Sequence, residues 1–141
     1  ITLMPSPDKK RHTCCPVTIA LDTFGDRWSL LVIRDLMCKG RATYGEFLES
    51  GEGIATNVLA NRLKDLESAN IIQKSRDPEN RRRYLYRLTE KGCDLIPIIL
   101  EMIGWSAKHD PQTVMEKKTL KRIKNDRDGL IAEIRARIKA S

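Results

Sequence analysis

The chain has 141 residues, of which 40% are hydrophobic, and a formal charge of +7 at pH 7. That is the size of one compact domain. Its mean hydropathy is -0.44, and no apolar run approaches the roughly 18 residues of a membrane span, so a membrane partner is not expected. Residues 1–11 lack the apolar core of a signal peptide, and the expected compartment is the cytoplasm.

Residues 1–13 hold two prolines and the triplet Lys9-Lys10-Arg11 and read as a flexible basic arm. Pro16 is suited to the first turn of a helix over 17–24, which Gly25 ends. A second helix is predicted over 27–39, with Trp28, Leu31, Val32 and Leu36 spaced by three and four and Gly40 as its stop. Thr43-Tyr44-Gly45-Glu46 matches the capping box that opens a short third helix. After the turn Ser50-Gly51-Glu52-Gly53, a fourth helix over 55–69 has two faces. Leu59, Leu63 and Leu66 gather on one, and Asn57, Asn61, Lys64 and Ser68 lie opposite.

The periodicity then changes from helix to strand. Residues 71–75 and 83–88 alternate as strands should, and Asp77-Pro78-Glu79-Asn80 between them is turn chemistry. The result is a basic β-hairpin. Thr89 is placed to cap a helix that continues past Gly92 and Pro97 to about residue 108, and Asp110-Pro111 ends it. A last, lysine-rich helix is expected over 113–140, with the stripe Leu120, Ile123, Leu130, Ile131, Ile134 and Ile138. A small domain has little room for that stripe, so a second subunit is its expected cover. Trp28, Leu31, Leu36, Phe47, Leu59, Leu63, Leu66 and Leu88 are the expected core.

Helix, helix, turn, helix, hairpin is the order of a winged helix-turn-helix. The fold class is therefore mainly α with a small β-hairpin (α+β), extended by extra N- and C-terminal dimerisation helices. The division is an arm over 1–13, a DNA-binding domain over 14–111 and a C-terminal helix over 112–141 for dimerisation or an auxiliary role.

Charge is distributed unevenly. Residues 71–92 carry a net +4 and residues 112–141 a net +5, a patchiness that favours a polyanionic partner. An α-helix fits the DNA major groove, where Asn pairs with adenine and Thr touches base edges. The candidate recognition residues are Thr56, Asn57, Ala60 and Asn61, with Arg62 and Lys64 holding the backbone. The candidate wing residues are Lys74, Arg76, Arg81, Arg82 and Arg83, cations suited to the minor groove and flanking phosphates. Strand alternation places Arg81 and Arg83 on one side and Arg82 on the other, so two of these three are expected to reach DNA.

The sequence shows no phosphate-cradling glycine loop, nucleophile elbow or carboxylate-histidine cluster, and an enzyme is not expected. The alternative is a winged-helix module that binds protein, which would require an uncharged, apolar wing. Four cysteines, Cys14, Cys15, Cys38 and Cys93, accompany only two histidines. His12-x-Cys14-Cys15 is at most half a metal site, so neither a metal nor a cofactor is expected, and the thiols suit a reducing cytoplasm. Cys38 and Cys93 read as buried or half-buried. Cys15, just before the first helix and near the basic triplet, is placed to have its thiolate favoured.

Several segments resemble the HxlR-type regulators, bacterial transcription factors of the MarR-like winged-helix group. They are Cys15-Pro16-Val17, Ala20-Leu21-Asp22, Gly25-Asp26-Arg27-Trp28, Gly53-Ile54, Val58 to Leu63, Leu66-Glu67, Tyr86 to Gly92 and Trp105. The resemblance covers about residues 14–109. It implies a homodimer that binds a palindromic operator in double-stranded DNA, most often as a repressor. For Cys15 it implies a candidate redox sensor of oxidants or electrophiles, with a small-molecule or oxidant effector that shifts the recognition helices out of register.

Overall fold

A computed structural model describes residues 14–141. The arm expected over 1–13, with Lys9, Lys10, Arg11 and His12, lies outside the described residues. In chain order the elements are α1 (Pro16–Phe24), α2 (Arg27–Lys39), β1 (Ala42–Thr43), α3 (Tyr44–Leu48), α4 (Thr56–Ser68), β2 (Ile72–Arg76) and β3 (Tyr84–Leu88). These are followed by α5 (Glu90–Cys93), α6 (Ile96–His109), α7 (Lys117–Asn125) and α8 (Arg127–Ala140).

Side-chain caps account for the starts of three helices. Asp26 caps α2 by accepting the Ser29 N–H. The capping box forms as expected, with Thr43 Oγ1 accepting the Glu46 N–H and the Glu46 carboxylate accepting the Thr43 N–H. Thr89 caps α5 through the Gly92 N–H. In the turn between α3 and α4, Gly51 and Gly53 take φ of 86° and 76°, a region open to glycine at little cost. That turn sets the angle at which α4 leaves α3.

Three strands form the sheet, in the order β1-β3-β2, both pairings antiparallel. The expected two-stranded hairpin therefore gains a third strand, Ala42 and Thr43 opposite Tyr86 and Leu85. Two residues are too few for alternation to announce. Ile72 faces Leu88 across β2 and β3, and both are buried beside Ile33, Leu36, Phe47, Leu59, Leu63, Leu66, Ile71 and Ile96. Trp28 and Leu31 depart from expectation and are only half-buried. They border a small hollow together with Ser50, Glu52 and Ile54, the single large apolar residue of the 50–54 turn, and the Arg27 guanidinium lies 5.4 Å from the Trp28 ring.

The C-terminal third differs more. The helix expected from Thr89 to about residue 108 is two helices. α5 stops after one turn, and α6 restarts with Pro97 in its first turn, where a missing N–H costs nothing. The helix expected over 113–140 is also two, beginning at Lys117 and broken at Asp126, whose φ of -144° and ψ of 49° are not helical. The Asp126 carboxylate folds over Gly129, where any Cβ would collide with both of its oxygens.

Breaking there turns α8 back onto α2 while α7 lies on α6. Ile123, Leu130, Ile134 and Ile138 are consequently 4–7% exposed within one chain. The stripe does not wait for a second subunit. Arg135 fastens α8 to Glu90 and Asp94 beside the wing, and Arg137 donates to the Cys38 carbonyl at the end of α2.

Candidate nucleic-acid interface

Helix α4 is positioned by its apolar face. Leu59, Leu63 and Leu66 are 0–3% exposed, and burying each is worth about 1.5–3 kcal/mol. Tyr44 on α3 donates its hydroxyl to the Thr56 carbonyl at 2.7 Å, tying the two helices of the helix-turn-helix together. With that face fixed, Thr56, Asn57, Ala60, Asn61 and Lys64 all stand exposed on the other. Asn57 and Asn61 are one turn apart. Ala55 at the N-cap offers no side-chain acceptor, so the first N–H groups of α4 point outward without a side-chain cap.

Arg62 is placed differently from its neighbours. It is half-buried, pairs with Asp65 at 2.9 Å and lies 3.8 Å from Asp26, the cap of α2. Its closer pair lies within α4, and its longer one reaches the start of α2.

The wing cations are also unequal. Lys74 lies 4.6 Å from the Tyr84 ring centroid and 3.8 Å from Glu67. Arg76 covers the same ring at 4.4 Å and donates to the Arg81 carbonyl at 2.8 Å. Arg83 pairs with Asp77 at 2.7 Å. Arg81 and Arg82 are exposed and have no ion-pair partner among the described residues. All three arginines precede β3, which begins at Tyr84. The expected strand alternation among them therefore does not exist, because turn geometry, not pleat, orients them.

Sequence reasoning does not single out Tyr84 or Asp77. The alternating run containing Tyr84 is legible, but its use as a platform for two cations depends on the β2–β3 register, in which Arg76 faces Tyr84. Asp77 reads as a turn residue, and its carboxylate is in fact buried. Glu79 N–H and the Arg83 guanidinium hold that carboxyl below the usual aspartate range.

Cys15 is exposed at the N-cap of α1. The Thr18 N–H, the Thr18 hydroxyl and the Val17 N–H face its sulfur and lower its pKa from the ordinary thiol value, as a helix N-terminus does for a developing thiolate. Burial raises that of Cys93. Cys38 is exposed, contrary to expectation, in the last turn of α2, where its carbonyl accepts from Arg137. Among the described residues no group of three His, Cys, Asp or Glu is arranged to hold a metal, and no helix is long and apolar enough to cross a membrane.

Away from α4 and the wing, Val17 and Leu21 on α1 and Ile98, Met102 and Trp105 on α6 are exposed, Trp105 to 65%. These exposed apolar side chains on α1 and α6 are candidates to meet a partner.

Comparison with known proteins places this geometry. Residues 23–114 match the model of the HxlR-like helix-turn-helix. YodB, an HTH-type transcriptional regulator of Bacillus subtilis, is 36% identical over 96 residues, covering 67% of this chain and 85% of YodB. The quinone-bound structure of YodB superposes with a TM-score of 0.54 at 33% identity, over 68% of this chain and 99% of that one. The HTH-type transcriptional regulator sll1512 of Synechocystis is 35% identical over 88 residues, 62% of this chain and only 64% of that relative's length. The redox regulator HypR in its oxidized form superposes with a TM-score of 0.61 at 29% identity, over 67% of this chain and 97% of HypR. These relatives are named as regulators, not as enzymes. The chain is a winged helix-turn-helix transcriptional regulator and belongs to the HxlR-like family.

Proposed function

We propose that the protein is a sequence-specific repressor that binds a palindromic DNA operator as a homodimer. The observation that carries this reading is the α4 face on which Thr56, Asn57, Ala60, Asn61 and Lys64 are all exposed beside the wing. A helix with that face outward enters the major groove. Asn57 and Asn61 pair there with adenine edges, and Lys64 and the open N–H groups of α4 hold phosphates. Val17, Leu21, Ile98, Met102 and Trp105 are covered by the same surface of a second copy, as two-fold symmetry requires. Two copies of α4 then read half-sites about one helical turn apart. Residues 112–141 serve as an auxiliary element bracing each domain.

Repression follows from occupying the operator, and its relief from chemistry at Cys15. The exposed, lowered-pKa thiol of Cys15 supports this reading, as do the quinone-bound form of YodB and the oxidized form of HypR. An oxidant or electrophile that modifies Cys15 at the start of α1 disturbs the dimer surface and moves the two recognition helices out of register. The compartment is the cytoplasm, where such a thiol stays reduced between signals.

Selection of bound fragments from genomic DNA by the purified protein, with and without a thiol oxidant, tests the whole reading. A recovered palindrome lost on oxidation is expected. Recovery of random fragments alone would remove the sequence-specific claim. A Cys15→Ser variant whose operator binding is as oxidant-sensitive as the wild type would remove the sensing claim.

A further inference from the structure

Six cations mark the wing, yet they fall into groups that a charge run does not separate. Arg83 turns back toward its own hairpin, and its Nε donates to Asp77 Oδ2 at 2.7 Å. The other Asp77 oxygen accepts the Glu79 N–H at 2.9 Å. Three backbone hydrogen bonds close the same turn: Asp77 N–H to the Arg83 carbonyl, Asn80 N–H to Asp77, and Arg83 N–H to Asn80. Asp77 is 5% exposed, and a buried carboxylate stripped of its partner is costly. Turning Arg83 away would leave Asp77 with the Glu79 N–H as its remaining hydrogen bond, so the Arg83 Nε is held to the hairpin while its outer nitrogens face solvent. From the other strand, Arg76 spans the tip by donating to the Arg81 carbonyl. Asn80 Oδ1 accepts the Arg82 N–H at 3.2 Å, fixing the backbone that carries Arg82.

We infer that Arg83 is a positioning residue whose ion pair with Asp77 sets the wing tip, and that Arg81 and Arg82 are the tip cations that meet duplex DNA. The inference rests on the DNA-binding reading above and refines it. It also inverts a simple charge expectation. Removing the Asp77 charge ought to tighten binding to a polyanion, whereas removing a lock ought to weaken it.

The experiment compares Asp77→Asn, Arg83→Ala, Arg83→Lys and Arg82→Ala. It measures affinity for a duplex carrying the selected operator across a salt series, and amide hydrogen exchange of the protein alone. An amide in place of Asp77 can accept from Glu79 or from Arg83 but not from both. Asp77→Asn and Arg83→Ala should each weaken binding on the order of tenfold, and the double variant should be little worse than either. Neither should change the salt slope. Arg83→Lys should not restore affinity, since it keeps the charge and loses the planar Nε donor. Arg82→Ala should instead lower the salt slope by about 0.9 for each phosphate no longer neutralised, about 1.8 for a dimer.

In the protein alone, the Glu79, Asn80 and Arg83 amides should exchange faster in Asp77→Asn and Arg83→Ala but not in Arg82→Ala. Two results would overturn the inference: Arg83→Lys binding like wild type while Arg83→Ala loses salt slope as Arg82→Ala does, or Asp77→Asn binding more tightly. A wild-type protein that ignores duplex DNA would remove the functional reading instead, and the exchange data would still decide whether the lock exists.

Discussion

Helix α4 and the wing carry their polar groups in opposite ways. On α4 the apolar face does the anchoring, so Thr56, Asn57, Ala60, Asn61 and Lys64 are left exposed, and only Arg62 is tethered. In the wing a short hairpin has little core of its own, and three of its six cations are used to build it: Lys74 and Arg76 on Tyr84, Arg83 on Asp77. Charge density along a chain therefore overstates how many cations such an element can offer to a partner. Where the hairpin extends beyond its buried Ile72 and Leu88, ionic groups shape it instead.

The strongest challenge to that contrast removes the proposed dimer that would present both regions. Trp105→Glu places a charge among the exposed apolar residues of α6, and operator affinity should fall by roughly 10²–10⁴-fold as bivalent binding is lost. Sedimentation should show a monomer with unchanged helix content by circular dichroism. An intact dimer with full affinity would mean that this surface is not the interface.

Within α4, Asn57→Ala or Asn61→Ala should each lose roughly 1–3 kcal/mol of discrimination between the operator and a base-substituted operator, with non-specific affinity unaltered. Competition binding with the two duplexes measures this. Equal losses on both would make these residues phosphate ligands, and α4 would then resemble the wing.

A smaller effect is expected at the joint between α3 and α4. Tyr44→Phe removes the hydrogen bond to the Thr56 carbonyl and should cost about 0.5–1.5 kcal/mol of stability in denaturant unfolding.

The wing lock should also show in its pH response. The Asp77 carboxyl is held below its ordinary value by the Glu79 N–H and the Arg83 guanidinium. A depressed native-state pKa gives stabilisation that is complete above the unfolded value, about 3.9. It is lost as pH falls through the lower native value. The Arg83 Nε–H resonance should thus hold its position from pH 7 to about 5 and shift only below about pH 4. A shift near neutrality would contradict the pairing. Least affected should be Lys74→Ala, whose exposed pair with Glu67 is worth under about 1 kcal/mol.

Much of this molecule was legible before its structure. The capping box at Thr43 and Glu46, the two faces of α4, the cap at Thr89 and the β2–β3 pairing all rest on residues within a single helix or a single hairpin. Local rules suffice for them. The misreadings have a common origin in distance along the chain. Strand β1 is two residues long and exists because β3, some forty positions later, supplies its partner. The break at Asp126 lies in an otherwise helical sequence, and its consequence is seen only where α8 meets α2. Trp28 has a core-like spacing but lacks a core-like cover.

Read alone, then, the 141 residues establish the order of the first four helices and the hairpin, the outward face of α4 and the family, because periodicity, capping and turn chemistry act locally. How the charge is used was settled by tertiary packing. It paired Arg62 with Asp65 and Arg83 with Asp77, stacked Lys74 and Arg76 on Tyr84, and buried the last apolar stripe against α2 and α6 within a single chain. Ion pairs and apolar cover depend on which surfaces meet in space, and a net charge of +7 does not say which of its members are left to meet a partner.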